Sequence, residues 1–199
     1  RVLGPDLSHR RTLIEGVARR PEVREVIEAL AAEGRPSAQR LQRRALRYGR
    51  EIASNMTYPV LRFMDGLLRR LWNRLYDGVD VRGLERVKAL AGDHTLVYVP
   101  CHRSHMDYLL LSYVLYHDGL LPPHIAAGRN LDMPLVGPLL RRGGAFFLRR
   151  SFRDNRLYAT VFNEYLHRLI ARGHPLEYFI EGGRSRSGRM LAARPGMLA

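Results

Sequence analysis

Through roughly the first 80 residues the apolar positions recur at helical spacing. Pro21 opens a helix in which Val23, Val26, Ile27 and Leu30 make one stripe, and Gly34 ends it. A second helix is expected to start near Pro36-Ser37 and run to about Thr57, where Pro59 breaks or kinks it. The strongest helical period follows. Val60, Leu61, Phe63, Met64, Leu67, Leu68, Leu71, Trp72 and Leu75 share one face, opposite Arg62, Asp65, Arg69, Arg70, Asn73 and Arg74. Two roles fit this helix: packing against the rest of the protein, or resting on anionic lipid with Trp72 and Phe63 dipping in.

From about residue 93 short apolar runs alternate with helices. Strands are expected over residues 95–99, 124–127, 145–148 and 176–180, and helices over 105–116 and 155–172. In the last helix Leu157, Tyr158, Val161, Phe162, Tyr165, Leu166, Leu169 and Ile170 share a face, and Gly173 stops it. This alternation predicts an α/β fold with a mostly parallel sheet flanked by helices, preceded by a helical N-terminal region. The division expected is a basic helical region over residues 1–80, with possible membrane contact, and an α/β catalytic region over 81–199.

Charge changes the picture more than composition does. The 199 residues include 33 basic and 19 acidic side chains, a formal net of +14, and Lys88 is the sole lysine. Arginine's planar fork suits phosphate and carboxylate, so phosphorylated small molecules, an anionic membrane surface or nucleic acid would suit the chain. The single cysteine, Cys101, excludes an internal disulfide and reads as a small buried filler beside His102. No apolar run approaches the roughly 18 residues of a spanning helix. The chain opens at Arg1 without an initiator methionine or an apolar leader and stops inside a motif-rich region, so a piece of a longer protein is expected.

Three expected strand ends carry chemistry, and in open α/β sheets ligands bind beyond such carboxyl ends. The first is His102 with Asp107, five positions on, where the imidazole can fold onto the carboxylate and act as a base toward an alcohol. The second is Arg149-Arg150, only one of which a strand can turn into the crevice. The third is the loop Glu181-Gly182-Gly183-Arg184-Ser185-Arg186-Ser187-Gly188-Arg189, whose glycines let the backbone approach an anion closely. Plainer roles stand beside these. Ser104 and Asp107 have the spacing of a helix capping box, His102 fits a loop histidine, and the arginine pair fits a solvated strand end.

At these loops the chain resembles the glycerophosphate acyltransferase family. The likeness rests on His102 to Asp107, on Gly144-Ala145-Phe146-Phe147-Leu148-Arg149-Arg150, and on Glu181-Gly182-Gly183-Arg184-Ser185-Arg186, three blocks in the family's order. The longer wording from Val99 to Leu111 and from Tyr178 to Arg186 is similar to the large bacterial inner-membrane glycerol-3-phosphate branch of the family, while a fourth, proline-containing block lies beyond the chain. The resemblance implies transfer of a fatty acyl group from acyl-CoA or acyl carrier protein to the sn-1 hydroxyl of glycerol 3-phosphate, giving lysophosphatidate, the first step of phospholipid biosynthesis. It implies His102 as general base and Asp107 as its orienting partner. Arg149, Arg184 and Arg186 would hold the phosphate, Gly182, Gly183 and Ser185 would shape the loop, and Glu181 would orient an arginine or the glycerol hydroxyls. Neither metal nor cofactor is required, and the implied location is the cytoplasmic face of the bacterial inner membrane, as a peripheral protein. Dihydroxyacetone phosphate or lysophosphatidate as acceptor, and a non-enzymatic module binding anions or nucleic acid, are the competing expectations. Against nucleic acid, zinc-finger spacing is absent and the aromatics sit at core spacing.

Overall fold

The computed structural model describes residues 10–34, 36–152 and 154–194. The chain's opening at Arg1 and its closing residues 195–199 lie outside them. Four helices form the larger part of the core: α1 (Arg10–Ala18), α2 (Pro21–Ala32), α3 (Ala38–Ile52) and α8 (Arg156–Ala171). Val23, Val26, Ile27 and Leu30 of α2 are all buried, as the helical spacing requires, with Pro21 at the helix start. They meet Leu41, Ala45, Tyr48 and Ile52 of α3 and Leu157, Val161, Tyr165 and Leu169 of α8. At Gly49 of α3 a β-carbon would stand 2.9 Å from Ile14, so glycine sets the close approach of α1 to α3. Phe146 and Leu176 from the sheet belong to the same cluster. The basic helical region and the α/β region therefore share one apolar core.

The helix expected to reach Thr57 ends earlier, at Ile52, and residues 53–57 run extended. Arg141 explains the stop. Its guanidinium donates to the carbonyls of Glu51 at 2.8 Å and Ala53 at 2.8 Å, taking up acceptors that another turn of helix would have used. Pro59 breaks nothing: it sits in the first turn of α4 (Tyr58–Leu75), where its missing N–H costs no bond. The apolar face of α4 is wider than its contact with the protein. Leu68 and Trp72 are buried, whereas Phe63, Leu67, Leu71 and Leu75 face outward. Trp72 is only 2% exposed, so the idea that it dips into lipid is corrected; Phe63, at 61%, remains available.

The sheet has the order β1-β4-β2-β3, with every pairing parallel. Its strands are β1 (Val97–Tyr98), β2 (His124–Gly128), β3 (Ala145–Leu148) and β4 (Leu176–Glu177). Crossovers run through α6 (Asp107–His117), α7 (Val136–Arg142) and α8, while α5 (Leu84–Ala91) precedes β1. Neither α5 nor α7 was foreseen from periodicity. β1 and β4 are shorter than expected because they pair for two residues and then turn aside into the motif loops. Parallel pairing brings the carboxyl ends of all four strands to one edge. At the opposite edge His124 bonds the Ser54 hydroxyl at 2.8 Å inside the core. Burial, with His174 beside it, drops the His124 imidazole to about 3, so it stays neutral. No described helix is long and apolar enough to cross a membrane.

Candidate active site

Where β1 hands over to α6, Asp107 is the first helical residue. One of its oxygens, Oδ2, accepts the backbone N–H of Arg103 at 2.7 Å and of Ser104 at 2.8 Å, and lies 3.2 Å from His102 Nδ1. Ser104 Oγ accepts the N–H of Met106 at 3.2 Å. The capping role and the histidine-orienting role are thus filled together by one carboxylate. Burial pushes the Asp107 carboxyl up, but the bonds from Ser104, Arg103 and His102 outweigh it and hold the group below its usual range. An ionised carboxylate only accepts, so His102 Nδ1 donates to it, and in the neutral ring the lone pair then lies on Nε2.

The ring is also held from the other side. Phe179, just past β4, stacks on it at 3.9 Å between centroids and 23° between planes. The backbone of His102 is gripped twice by the third motif: its N–H donates to Glu181 Oε1 at 2.9 Å, and its carbonyl accepts the N–H of Ser185 at 2.8 Å. Glu181 spends its second oxygen on the N–H of Leu191 at 2.8 Å. Those backbone bonds, from Leu191 and His102, keep its carboxyl ionised below the ordinary range. Glu181 therefore serves the backbone of His102. Gly182 has a φ of 64°, which suits glycine at the turn that brings Glu181 back under β1.

A cleft of about 1730 Å³ opens at this edge. Its polar end is lined by His102, His105, Gly182, Gly183, Arg184 and Arg194. Its apolar arm runs between Leu61, Met64 and Leu68 of α4, Leu109 and Tyr113 of α6, and Leu139 and Leu140 of α7. Arg129, Arg149 and Arg150 border it beyond β2 and β3. Arg149 turns toward α3, where Nε and Nη2 each donate to Glu51 at 2.7 Å. This pairing holds the guanidinium strongly protonated. Ser185 is buried and Arg186 exposed, and neither lines the cleft. Cys101 is exposed, which corrects its reading as a buried filler; β1 has already ended there, so no strand neighbour covers it.

Sequence reasoning missed Glu51, Phe179, Arg194 and Glu177. Glu177 ends β4 with no exposed surface and with no hydrogen bond to either carboxylate oxygen. Burial, reinforced by the charge of Asp107, lifts its carboxyl to about 8. A charged residue inside a two-residue strand was the one available signal. Among the described residues, no cluster of three or more His, Cys, Asp or Glu side chains could hold a metal ion.

The Acyltransferase family model matches residues 78–199, which contain the whole cleft edge of the sheet. Over 198 residues the chain is 57% identical to the glycerol-3-phosphate acyltransferase of Pseudomonas putida KT2440 and 59% identical to those of Pseudomonas paraeruginosa PA7 and Pseudomonas aeruginosa PAO1. Each alignment covers 100% of this chain and 24% of the relative, so the chain spans about a quarter of the length of the curated relatives it matches. With the family model covering more than half of the residues, and the first and third motif blocks bonded to one another around His102, the chain belongs to the Acyltransferase family.

Proposed function

We propose that the chain carries the acyl-transfer centre of an enzyme that moves a fatty acyl group from acyl-CoA or acyl carrier protein to the sn-1 hydroxyl of glycerol 3-phosphate, releasing lysophosphatidate. The observation that carries this reading is the oriented His102–Asp107 pair at the junction of a basic and an apolar compartment. A thioester is already activated, so the enzyme need only deprotonate the alcohol and align it. His102 Nε2 takes the hydroxyl proton as the oxygen attacks the thioester carbonyl carbon. The tetrahedral intermediate then expels the thiolate, which takes the proton back from the imidazolium, and the imidazole is restored. Asp107 stabilises the transient positive charge. The name of the relatives supplies the acceptor; the sn-1 position and the donor rest on the resemblance of the motif wording.

Arg184, with the open backbone at Gly183 beside it and Arg194 against Gly182, is the natural seat for the phosphate. Arg149 gives two of its five N–H groups to Glu51 and keeps the others for an anion at the rim. Arg186 would act from outside the present cleft lining, on a phosphate approaching over the loop. The apolar arm suits the acyl chain. The outward row Phe63, Leu67, Leu71 and Leu75, with Met133 and Leu135 exposed before α7 and Val136 exposed at its start, supports a peripheral seat on the cytoplasmic leaflet of the inner membrane.

The deciding experiment is acyl transfer from palmitoyl-CoA to radiolabelled glycerol 3-phosphate by the full-length protein in liposomes, beside His102→Ala. Product in the parent and a loss of turnover by orders of magnitude in the variant are expected. Near-normal turnover in His102→Ala would remove the base assignment, and inactivity of a folded parent with every donor would remove the reaction.

A further inference from the structure

The exposed face of α3 carries a one-sided charge. Its apolar residues Leu41, Ala45, Tyr48 and Ile52 are buried, and at helical spacing the opposite side carries Arg40, Arg43, Arg44, Arg47 and Arg50, all exposed. For Arg40, Arg43 and Arg44 no acidic partner stands among the described residues within ion-pair reach. One acid lies on that side, Glu51, and it is committed to Arg149, with Arg129 at 3.4 Å. Because Arg129 and Arg149 both border the cleft, the stripe runs from open solvent to the cleft rim. From Arg40 to Glu51 it is about 16 Å long at the rise of an α-helix.

We propose that this α3 stripe docks an acidic protein that presents the acyl group as a thioester at the cleft, an inference that rests on the acyl-transfer reading above. Three observations favour that partner. The stripe is cationic along its length, so its complement is a row of carboxylates or phosphates. It holds no exposed large apolar side chain, unlike α4, so it lacks the anchors that an inserting membrane helix uses. Its far end lies several helical turns from the rim, where a protein-borne donor must rest its body while its thioester enters the cleft. A small thioester such as acyl-CoA engages the rim and has no use for Arg40, Arg43 and Arg44.

The test is Arg40→Glu, Arg43→Glu and Arg44→Glu combined in the full-length protein, assayed in liposomes with palmitoyl-acyl carrier protein and with palmitoyl-CoA. Arg47 stays, because its charge bears on Glu51. The KM for the carrier-protein donor should rise about tenfold or more, while kcat and the KM for palmitoyl-CoA stay at parental values. Equilibrium binding of the carrier protein, measured apart from turnover, should weaken in parallel and should weaken with salt in the parent. Substitution of the same three residues by Gln should give an intermediate loss. Equal losses with both donors, or unchanged kinetics and binding, would overturn the proposal. Lost liposome binding with parental carrier-protein KM would make the stripe a lipid-facing surface instead. A fall in melting temperature in the Gln variant would mean that the rest of the protein covers α3. If the parent were inactive with both donors, the reaction would be wrong, and carrier-protein binding alone would then decide the surface.

Discussion

Glu51 grips Arg149 with both carboxylate oxygens, each 2.7 Å from a guanidinium nitrogen, and the guanidinium lies between the rings of Tyr48 and Tyr158 at 4.9 and 4.6 Å. The pair ties the end of α3 to the end of β3, and Tyr158 brings in α8. Asn155 at the start of α8 donates to the Tyr48 hydroxyl at 3.0 Å, closing the ring of contacts. A bidentate pair between aromatic faces holds an arginine in one orientation. Removing the carboxylate should therefore loosen the wall of the cleft as well as the helix.

Glu51→Ala is expected to lower stability by about 1–3 kcal/mol, because it strands a half-buried guanidinium. The KM for glycerol 3-phosphate should rise with little change in kcat. Thermal melts and steady-state kinetics of the full-length protein check both. Parental values for both would show that Arg149 needs no holder.

Asp107→Asn separates the two duties of that side chain. The amide oxygen can still accept from Arg103 and Ser104, so the melting temperature should stay close to the parent's. The charge that stabilises the imidazolium is gone, so kcat should fall by about a hundredfold to ten-thousandfold with KM nearly unchanged. Unaltered kcat in a folded Asn variant would reduce Asp107 to a helix cap.

Glu177 gives a pH signature. Unfolded, it releases its proton near 4.5; folded, it holds the proton up to about 8. The native state thus binds more protons between those values, so stability falls as pH rises through that window and is fully present below it. Glu177→Gln should flatten the decline. Its stability relative to the parent should grow from pH 5 to pH 8 by an amount on the order of a few kcal/mol, read by denaturant melts. A constant difference across that range would mean that the carboxyl is already ionised in the fold.

The two sides of α4 should answer differently to substitution. Phe63→Asp with Leu67→Asp is expected to release the full-length protein from anionic liposomes in a flotation assay while leaving the melting temperature near the parental value. Trp72→Ala should do the reverse, costing about 3–5 kcal/mol through a core cavity. Retained flotation in the double Asp variant would remove α4 from the membrane contact.

Much of this protein is written locally. The helical period alone placed α2 and α8, with Val23, Val26, Ile27 and Leu30 turned inward and Asn155 at the start of α8, because burial on one side of a helix demands that spacing. β3 was legible as the run from Ala145 to Leu148, its interior buried. The His102–Asp107 pair was legible too, since five residues around a strand-to-helix turn bring imidazole and carboxylate together without help from the rest of the chain.

What the sequence could not decide are the relations that depend on distant partners. Glu181 meets His102 across 79 positions and Glu51 meets Arg149 across 98, and no periodicity encodes which charge finds which. The apolar face of α4 reads as one stripe, yet packing against α6 and α7 takes Trp72 and leaves Phe63 outside, because the contact is narrower than the stripe. Local spacing, set by backbone geometry, determined most of the elements and the His102–Asp107 pair. Long-range pairing in the parallel sheet, which exists only once the chain has folded, decided how that pair is held and which arginines remain free to bind.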